Sequence, residues 1–436
     1  MAEATRSDPP PGAPEFGIGY QRYALALLLL VYIFNFVDRQ VVTILLEDIR
    51  REFDLSDSQL GFFGGTAFAL FYSTLGIPIA RWADRGVRRN IIALALAVWS
   101  LMTAFQGTAR SFLVLAIARV GVGVGEAGCS PPAHSMIADY FPPERRATAL
   151  GFYAMGIPIG SAIGLMLGGW VTENIGWREA FMIVGLPGLA LAVLVRATLK
   201  EPIRGYYDPP TKPVPQDSIL DVARFLMARR SFVHLAFAGS LHAFYGYGAA
   251  SFVAPFFQRV HAFAPAELGM WLGLISLTTG VAGTFLGGYV ADRIAIRDVR
   301  WYAWLPGLAT VAALPFVFLY YLWPDRYIAL ALGMAPSLLG GMYLGPTFAI
   351  TQAMVPPRMR AQASAVLLLV LNLIGLGLGP QFVGLASDLL RPTFGEESLR
   401  WALLATVAGG AAWATLHYFL GARTLAKDLE AKEGLA

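Results

Sequence analysis

Two short stretches place charged side chains where the sequence around them is apolar. One is Arg119-Val-Gly-Val-Gly-Val-Gly-Glu126-Ala-Gly-Cys-Ser-Pro-Pro132, inside a run from Phe112 to Tyr140. The other is Asn35-Phe-Val-Asp38-Arg39, inside a run over 21–46. A charge at bilayer depth costs about 2.5–3.5 kcal/mol on insertion scales, so such groups face a polar interior and mark a substrate or ion path. At about 3.6 residues per turn, Arg119 and Glu126 stand two turns apart on one helical face. At about 1.5 Å per residue, Asp38 and Arg119 both lie about 10–12 Å below one membrane surface. Equal depth predicts an ion pair between them, a latch that protonation of Asp38 would release. Glu126 lies about 10 Å deeper, where a desolvated carboxyl can take up and release a proton near neutral pH. Arg39 and Arg119 are the only guanidinium groups at this depth, and a planar guanidinium suits bidentate binding of phosphate or carboxylate. Arg119 could then alternate between Asp38 and an anionic substrate head. A static ion pair, and an acid held by backbone for packing alone, remain open as plainer readings.

These residues must be positioned by membrane helices. The chain has 436 residues, 56% of them hydrophobic and 14% charged, against about 25% charged in soluble domains. Apolar runs of about 20 residues match a hydrocarbon core of about 30 Å. Twelve spans are predicted, over 21–46, 58–81, 90–108, 112–140, 147–171, 179–199, 231–257, 266–291, 301–322, 327–354, 361–387 and 400–420. The expected fold is an all-α membrane protein of two six-helix bundles, 20–200 and 231–421. They are joined by a linker over 201–230 that carries an amphipathic helix from Asp217 to Arg230. Residues 1–19, rich in Pro and Gly with no apolar core, are expected to be a disordered tail with no cleavable signal. Residues 422–436 form a second tail.

Charge distribution orients the spans. Of 33 Lys and Arg, 23 lie in tails and loops on the side of the N-terminus and 8 on the opposite side, which predicts both termini cytoplasmic and a multi-pass protein of the cell membrane. The halves also repeat. Ala80-Arg-Trp-Ala-Asp84-Arg85 matches Gly288-Tyr-Val-Ala-Asp292-Arg293, and Phe141-Pro-Pro-Glu-Arg-Arg146 matches Val355-Pro-Pro-Arg-Met-Arg360. Paired six-helix halves with a site between them at the midplane are a common transporter plan.

Other chemistries find little support. The single cysteine, Cys129, excludes intrachain disulfides and a Cys-based metal cluster. Gly121, Gly123 and Gly125 resemble a nucleotide loop in spacing only, since they follow no strand; close helix packing explains them better. There is no His-Glu-x-x-His, no acid pair with metal spacing and no nucleophile beside a base. An enzyme, a metal and a cofactor are therefore not expected, and neither is nucleic acid. The second half has no deep charge; there His242, Tyr245, Tyr343, Thr347 and Asn372 could form an apolar wall with a few hydrogen-bonding groups.

At these motifs the chain resembles the major facilitator superfamily. Ala80-Arg-Trp-Ala-Asp84-Arg85-Gly86-Val-Arg88-Arg89 is similar to the signature between spans two and three, with its first glycine replaced and its second displaced. The charge-bearing stretches, with Ile137-Ala-Asp139-Tyr-Phe141 and Gly156-Ile-Pro-Ile-Gly160, resemble the spinster family. That resemblance implies a proton-coupled secondary transporter, working as a monomer by rocker-switch alternating access. It also implies an amphipathic lipid substrate, a lysophospholipid or a sphingosine-1-phosphate-like molecule, with Glu126 as a proton or substrate site. The alternative is an organic-anion/proton symporter of the anion:cation type, in which a small carboxylate engages Arg39 and Arg119. Asp84, Arg85, Arg88 and Arg89, with Asp292 and Arg293 as the second copy, are expected to close the cytoplasmic side across the seam between halves.

Overall fold

A computed structural model describes residues 16–207, 218–356 and 359–433. Residues 1–15 of the predicted tail, 208–217 of the linker, 357–358 of the second Pro-Pro repeat and 434–436 lie outside the described residues. The first half holds α1 (Ile18–Phe53), α2 (Asp57–Arg85), α3 (Arg88–Gln106), α4 (Phe112–Tyr140), α5 (Pro143–Asn174) and α6 (Trp177–Thr198). A short α7 (Ile219–Met227) precedes α8 (Arg230–Val260), α9 (Pro265–Ala295), α10 (Trp301–Leu322) and α11 (Arg326–Ala353). α12 runs through Arg360–Leu371, a π turn over Asn372–Leu378 and Gly379–Phe394, and α13 covers Ser398–Glu433. α1–α6 and α8–α13 stand where the twelve spans are predicted; among the described residues ten stretches are long and apolar enough to cross a membrane, one of them running through α12 and α13, and there is no strand.

Local chemistry moves several boundaries. α1 overruns its predicted end by about two turns, because Glu47 takes Arg50 and Arg51 at i+3 and i+4, before Asp54 ends the helix with φ of 48°. At its other end Phe16 packs on Tyr20 and Tyr140, so the predicted disordered tail does not reach residue 19. α13 continues as helix through most of the predicted C-terminal tail. α7 is shorter than predicted and is capped by Ser218 Oγ, which accepts from the N–H groups of Leu220 and Asp221. It buries Val222 and Leu226 and leaves Leu220 exposed. α8 is not among the stretches apolar enough to count as a span by composition, and it carries Ser240, His242, Tyr245 and Tyr247 in its middle.

Several spans are broken at depth. α4 turns at Ala127–Cys129 and restarts at Ser130-Pro131-Pro132, which places Glu126 at the end of its first segment. Proline lacks an amide hydrogen and clashes with the preceding turn, so a helix running into two prolines must break there. α2 and α9 carry π turns at Phe62–Thr66 and Ser276–Gly280, and α11 passes through a 3-10 turn at Gly341–Tyr343.

The two halves do not meet evenly. One apolar core lies within the first half, around Leu28, Leu96, Trp99, Val122 and Ile137. The other joins the predicted outer ends of α1, α2 and α6, with Ile44, Leu46, Leu60 and Phe181, to the second half through Phe252, Phe256 and Leu268. The outer end is thus one continuous core across both halves. Towards the predicted inner end, Leu70, Phe71 and Trp82 of α2 are exposed.

Candidate functional site

The deep charges do come together, in a different pairing from the predicted one. Arg39 of α1 donates from Nε to Glu126 Oε2 at 2.6 Å, where Glu126 ends the first segment of α4. Asp38 and Arg119 form no ion pair. Both are buried, and Asp38 Oδ1 and Arg119 Nε and Nη1 have no hydrogen-bond partner in the protein. Arg119 instead lies against the face of Phe68, its Cζ 4.9 Å from the ring centroid. Arg39, the residue next to Asp38 on α1, is the cation that takes Glu126.

Aromatic rings hold this cluster. Arg39 Cζ lies 4.9 Å from the Phe68 ring, 4.6 Å from Tyr72 and 5.1 Å from Phe36. Phe68 therefore contacts both guanidinium groups and stacks on Tyr72, with centroids 5.2 Å apart. A guanidinium on an aromatic face gains about 0.5–2 kcal/mol, more when desolvated. The glycines of α4 allow the approach. A Cβ on Gly123 would stand 2.6 Å from the Phe68 carbonyl oxygen, and one on Gly125 would stand 2.6 Å from the Trp99 backbone nitrogen. Close packing, not a nucleotide loop, is their use.

Exposure divides the cluster. The Arg39 side chain is 19% exposed while that of Glu126 is fully buried, so Arg39 caps the acid. Glu126 Oε1, like the Asn35 amide, has no partner in the protein. Buried groups with unmet hydrogen-bonding capacity are costly and accordingly mark functional sites.

Beside it lies a cavity of about 470 Å³, within the range of small-molecule sites. From the first half it takes Gln40, Thr43, Ser161 and Leu165; the rest of its wall is second-half, with Tyr247, Tyr320 and Tyr321 among aliphatic and small residues. Of the predicted second-half residues, His242, Tyr245 and Tyr343 line it. His242 stacks on Tyr343 at 3.9 Å, and its Nε2 lies 3.0 Å from the Gly340 carbonyl. A carbonyl only accepts, so Nε2 carries the hydrogen and Nδ1 accepts from the Tyr245 hydroxyl at 2.9 Å. Thr347 and Asn372 do not line it: Thr347 is buried and bonds the Tyr343 carbonyl, and Asn372 opens the π turn of α12. Arg39, Arg119 and Glu126 also stand outside the wall. The cavity wall carries no acid, lysine or arginine.

The predicted cytoplasmic gate separates into two kinds of residue. Arg88 is fully buried and serves the first half alone. It binds Asp139, Glu201 at 2.7 Å, Ser135 and the Pro202 carbonyl. Arg89 likewise turns to Glu201 and Leu199. Neither crosses the seam: Arg88 is held by Asp139 of its own bundle and Glu201 of the linker, while Arg89 reaches Glu201 through its backbone N–H and the Leu199 carbonyl through Nη1. Asp84 and Arg85 border an open surface groove with Arg81 and Trp82. Asp292 accepts from Tyr302, and Arg293 lies over Tyr289, both within the second half.

A set of residues not singled out in the sequence closes the opposite end. Arg259, ending α8, donates to Glu47 at 2.5 Å and reaches Asp57 at 2.8 Å. Both acids belong to the other half and are buried. Their signal in the sequence was the five acids of Glu47 to Asp57 facing a lone arginine on an outer loop of the other half.

The major facilitator superfamily model matches residues 28–380. An MFS-type efflux pump of Mycolicibacterium smegmatis is 34% identical over 406 residues, covering 93% of this chain and 94% of that protein. Protein spinster homolog 1 of Homo sapiens is 28% identical over 447 residues, covering 93% and 83%. The crystal structure of a bacterial homolog of the human lysosomal transporter spinster, inward-facing and unoccupied, has a TM-score of 0.87 at 36% identity, covering 95% of this chain and 99% of that one. A buried ion cluster beside an aromatic cavity between two six-helix halves agrees with these matches. The chain belongs to the major facilitator superfamily and is a multi-pass membrane transporter of the spinster type.

Proposed function

We propose that the protein is a proton-coupled secondary transporter of an amphipathic, lipid-like molecule such as a lysophospholipid or a sphingosine-1-phosphate-like compound. The observation that carries this is the pairing of fully buried Glu126 with partly exposed Arg39 beside an uncharged aromatic cavity. An anionic head group arriving at Arg39 competes with Glu126 for the same guanidinium. Once displaced, Glu126 is a buried carboxylate without its counter-ion, and it relieves that cost by taking a proton. Substrate binding and protonation are thereby linked through one arginine. The apolar body of the substrate would rest against Tyr247, Tyr343 and Leu165.

The sealed outer end, with Arg259 between Glu47 and Asp57, and the exposed inner part of α2 correspond to an inward-facing state of a rocker-switch cycle. The excess of lysine and arginine on the inner side supports cytoplasmic termini in the cell membrane, and the protein works as a monomer. Asp38 and Arg119, buried at the same site, would change partners as the halves rock. Asp84 and Arg85, unlike Arg88, are free to meet the second half when the inner side closes.

A second reading, export of apolar toxic compounds, is favoured by the efflux-pump relative and by the charge-free cavity wall. A screen in liposomes with and without an imposed pH gradient decides between them. Gradient-driven accumulation of lysolipids supports the first reading. Movement of uncharged hydrophobic compounds, with lysolipids untouched, supports the second. The organic-anion alternative, in which a small carboxylate engages Arg39 and Arg119, is tested in the same screen, as gradient-driven accumulation of small carboxylates with lysolipids untouched.

A further inference from the structure

The closed outer end is built from one pattern used twice. α2 starts Asp57-Ser-Gln-Leu60-Gly61, and α9 starts Pro265-Ala-Glu-Leu268-Gly269, 208 positions later. α5 carries Leu165, then Gly169-Trp-Val-Thr-Glu173; α12 carries Pro380, then Gly384-Leu-Ala-Ser-Asp388, 215 positions later. α2 crosses α12 and α9 crosses α5, so each crossing joins the two halves.

At each crossing the glycines bring backbone against backbone. A Cβ on Gly384 would stand 2.1 Å from the Asp57 carbonyl oxygen, and one on Gly169 would stand 2.2 Å from that of Pro265. On the facing helices, a Cβ on Gly61 would stand 2.4 Å from the Pro380 oxygen and one on Gly269 2.3 Å from the Leu165 oxygen. One turn beyond Gly384 or Gly169, an acid reaches the free amides at the start of the facing helix. The Asp388 carboxylate accepts from the N–H groups of Asp57 at 2.9 Å and Ser58 at 2.8 Å. Glu173 accepts from the N–H of Ala266 at 2.8 Å. The first amides of a helix have no partner in their own helix, and an acid there is favoured both by hydrogen bonding and by the helix dipole.

We propose that these are two symmetry-related clasps in which Asp388 and Glu173 act as positioning residues that hold the outer gate shut. Each half supplies the acid that caps a helix of the other, and opening to the outside separates both. This rests on the alternating-access reading above. The clasps differ in strength. Asp388 is half-buried, makes two bonds and adjoins Ser387, which donates to Asp57 at 2.6 Å; Glu173 is exposed and makes one.

The test uses the full chain in liposomes, with spin labels on cysteines at Arg110 and Glu396, exposed positions at the outer end of opposite halves; native Cys129 is buried. Loss of one cap shifts an equilibrium by about fivefold. Asp388→Ala should therefore raise the ratio of long to short distances about fivefold, Glu173→Ala by less, and the double variant by roughly their product. Asp388→Asn, which keeps an acceptor oxygen, should restore most of the short distance. Gly384→Val should hold the long distance, provided circular dichroism shows a folded protein. If wild type switches under a pH gradient and the double variant keeps the wild-type ratio, the clasps are refuted and alternating access stands. If neither protein ever shows a second distance, both ideas fail.

Discussion

Arg259 offers the sharpest perturbation of the outer gate. Its guanidinium is buried between two acids of the other half, at 2.5 Å from Glu47 and 2.8 Å from Asp57. Removing one partner of a buried ion pair costs about 3–5 kcal/mol, because the remaining charge stays desolvated. In Arg259→Ala that cost is unequal. Glu47 keeps Arg50 at 2.9 Å and Arg51 at 3.2 Å on its own helix, whereas Asp57 keeps only the Ser387 hydroxyl. The lower end, about 3 kcal/mol, therefore applies, and it falls on the sealed state alone because an opened gate hydrates Asp57. At about 1.4 kcal/mol per factor of ten, the outward-open state should gain about a hundredfold. The readout is the distance between labels on opposite halves at the outer end. Arg259→Lys should recover part of the effect, since a lysine reaches one acid but not both. A variant that loses thermal stability while its distances stay as in wild type would refute the reasoning, for Arg259 would then be structural and not a gate.

Three other outcomes follow. Arg39→Lys keeps the charge but loses the planar group that lies against Phe36, Phe68 and Tyr72; substrate affinity should fall about tenfold with little change in melting temperature, as read by transport KM in liposomes. Arg88→Ala should destabilise the protein by about 3–5 kcal/mol by stranding Asp139 in the interior, whereas Arg85→Ala should leave the melting temperature unchanged and slow transport. Gly125→Val should lower stability by about 1–3 kcal/mol or prevent folding, since its side chain meets the Trp99 backbone; a normal melting curve in detergent would contradict the packing described.

Much of the architecture was written in the chain because membrane physics is nearly one-dimensional. Apolar length alone locates spans, and the position of Asp38, Arg119 and Glu126 within those runs gives their depth. What depth lacks is azimuth. Asp38 and Arg119 were expected to pair from equal predicted height, yet Arg39 is the residue bonded to Glu126, and Phe68 lies against both guanidinium groups. The break after Glu126 has its cause in Pro131-Pro132, although 112–140 was expected as one unbroken span, and the π turns of α2, α9 and α12 left no sequence signal. Arg88 and Arg89 illustrate a related limit. Their loop position fits a gate as well as a buried tie; Asp139 and Glu201 tie the Arg88 side chain, and the Leu199 carbonyl takes that of Arg89. Arg259 was hidden for the opposite reason, because outer-loop charges were weighed only for orientation.

The central claim is that Glu126 exchanges a proton when substrate takes Arg39. The direct measurement is proton movement into liposomes containing the protein, followed with an internal pH-sensitive dye as lysolipid is added outside. Wild type should show a substrate-dependent pH change that is lost in Glu126→Gln, with substrate exchange retained. Equal proton movement in both proteins, or lysolipid transport with none in wild type, would contradict it.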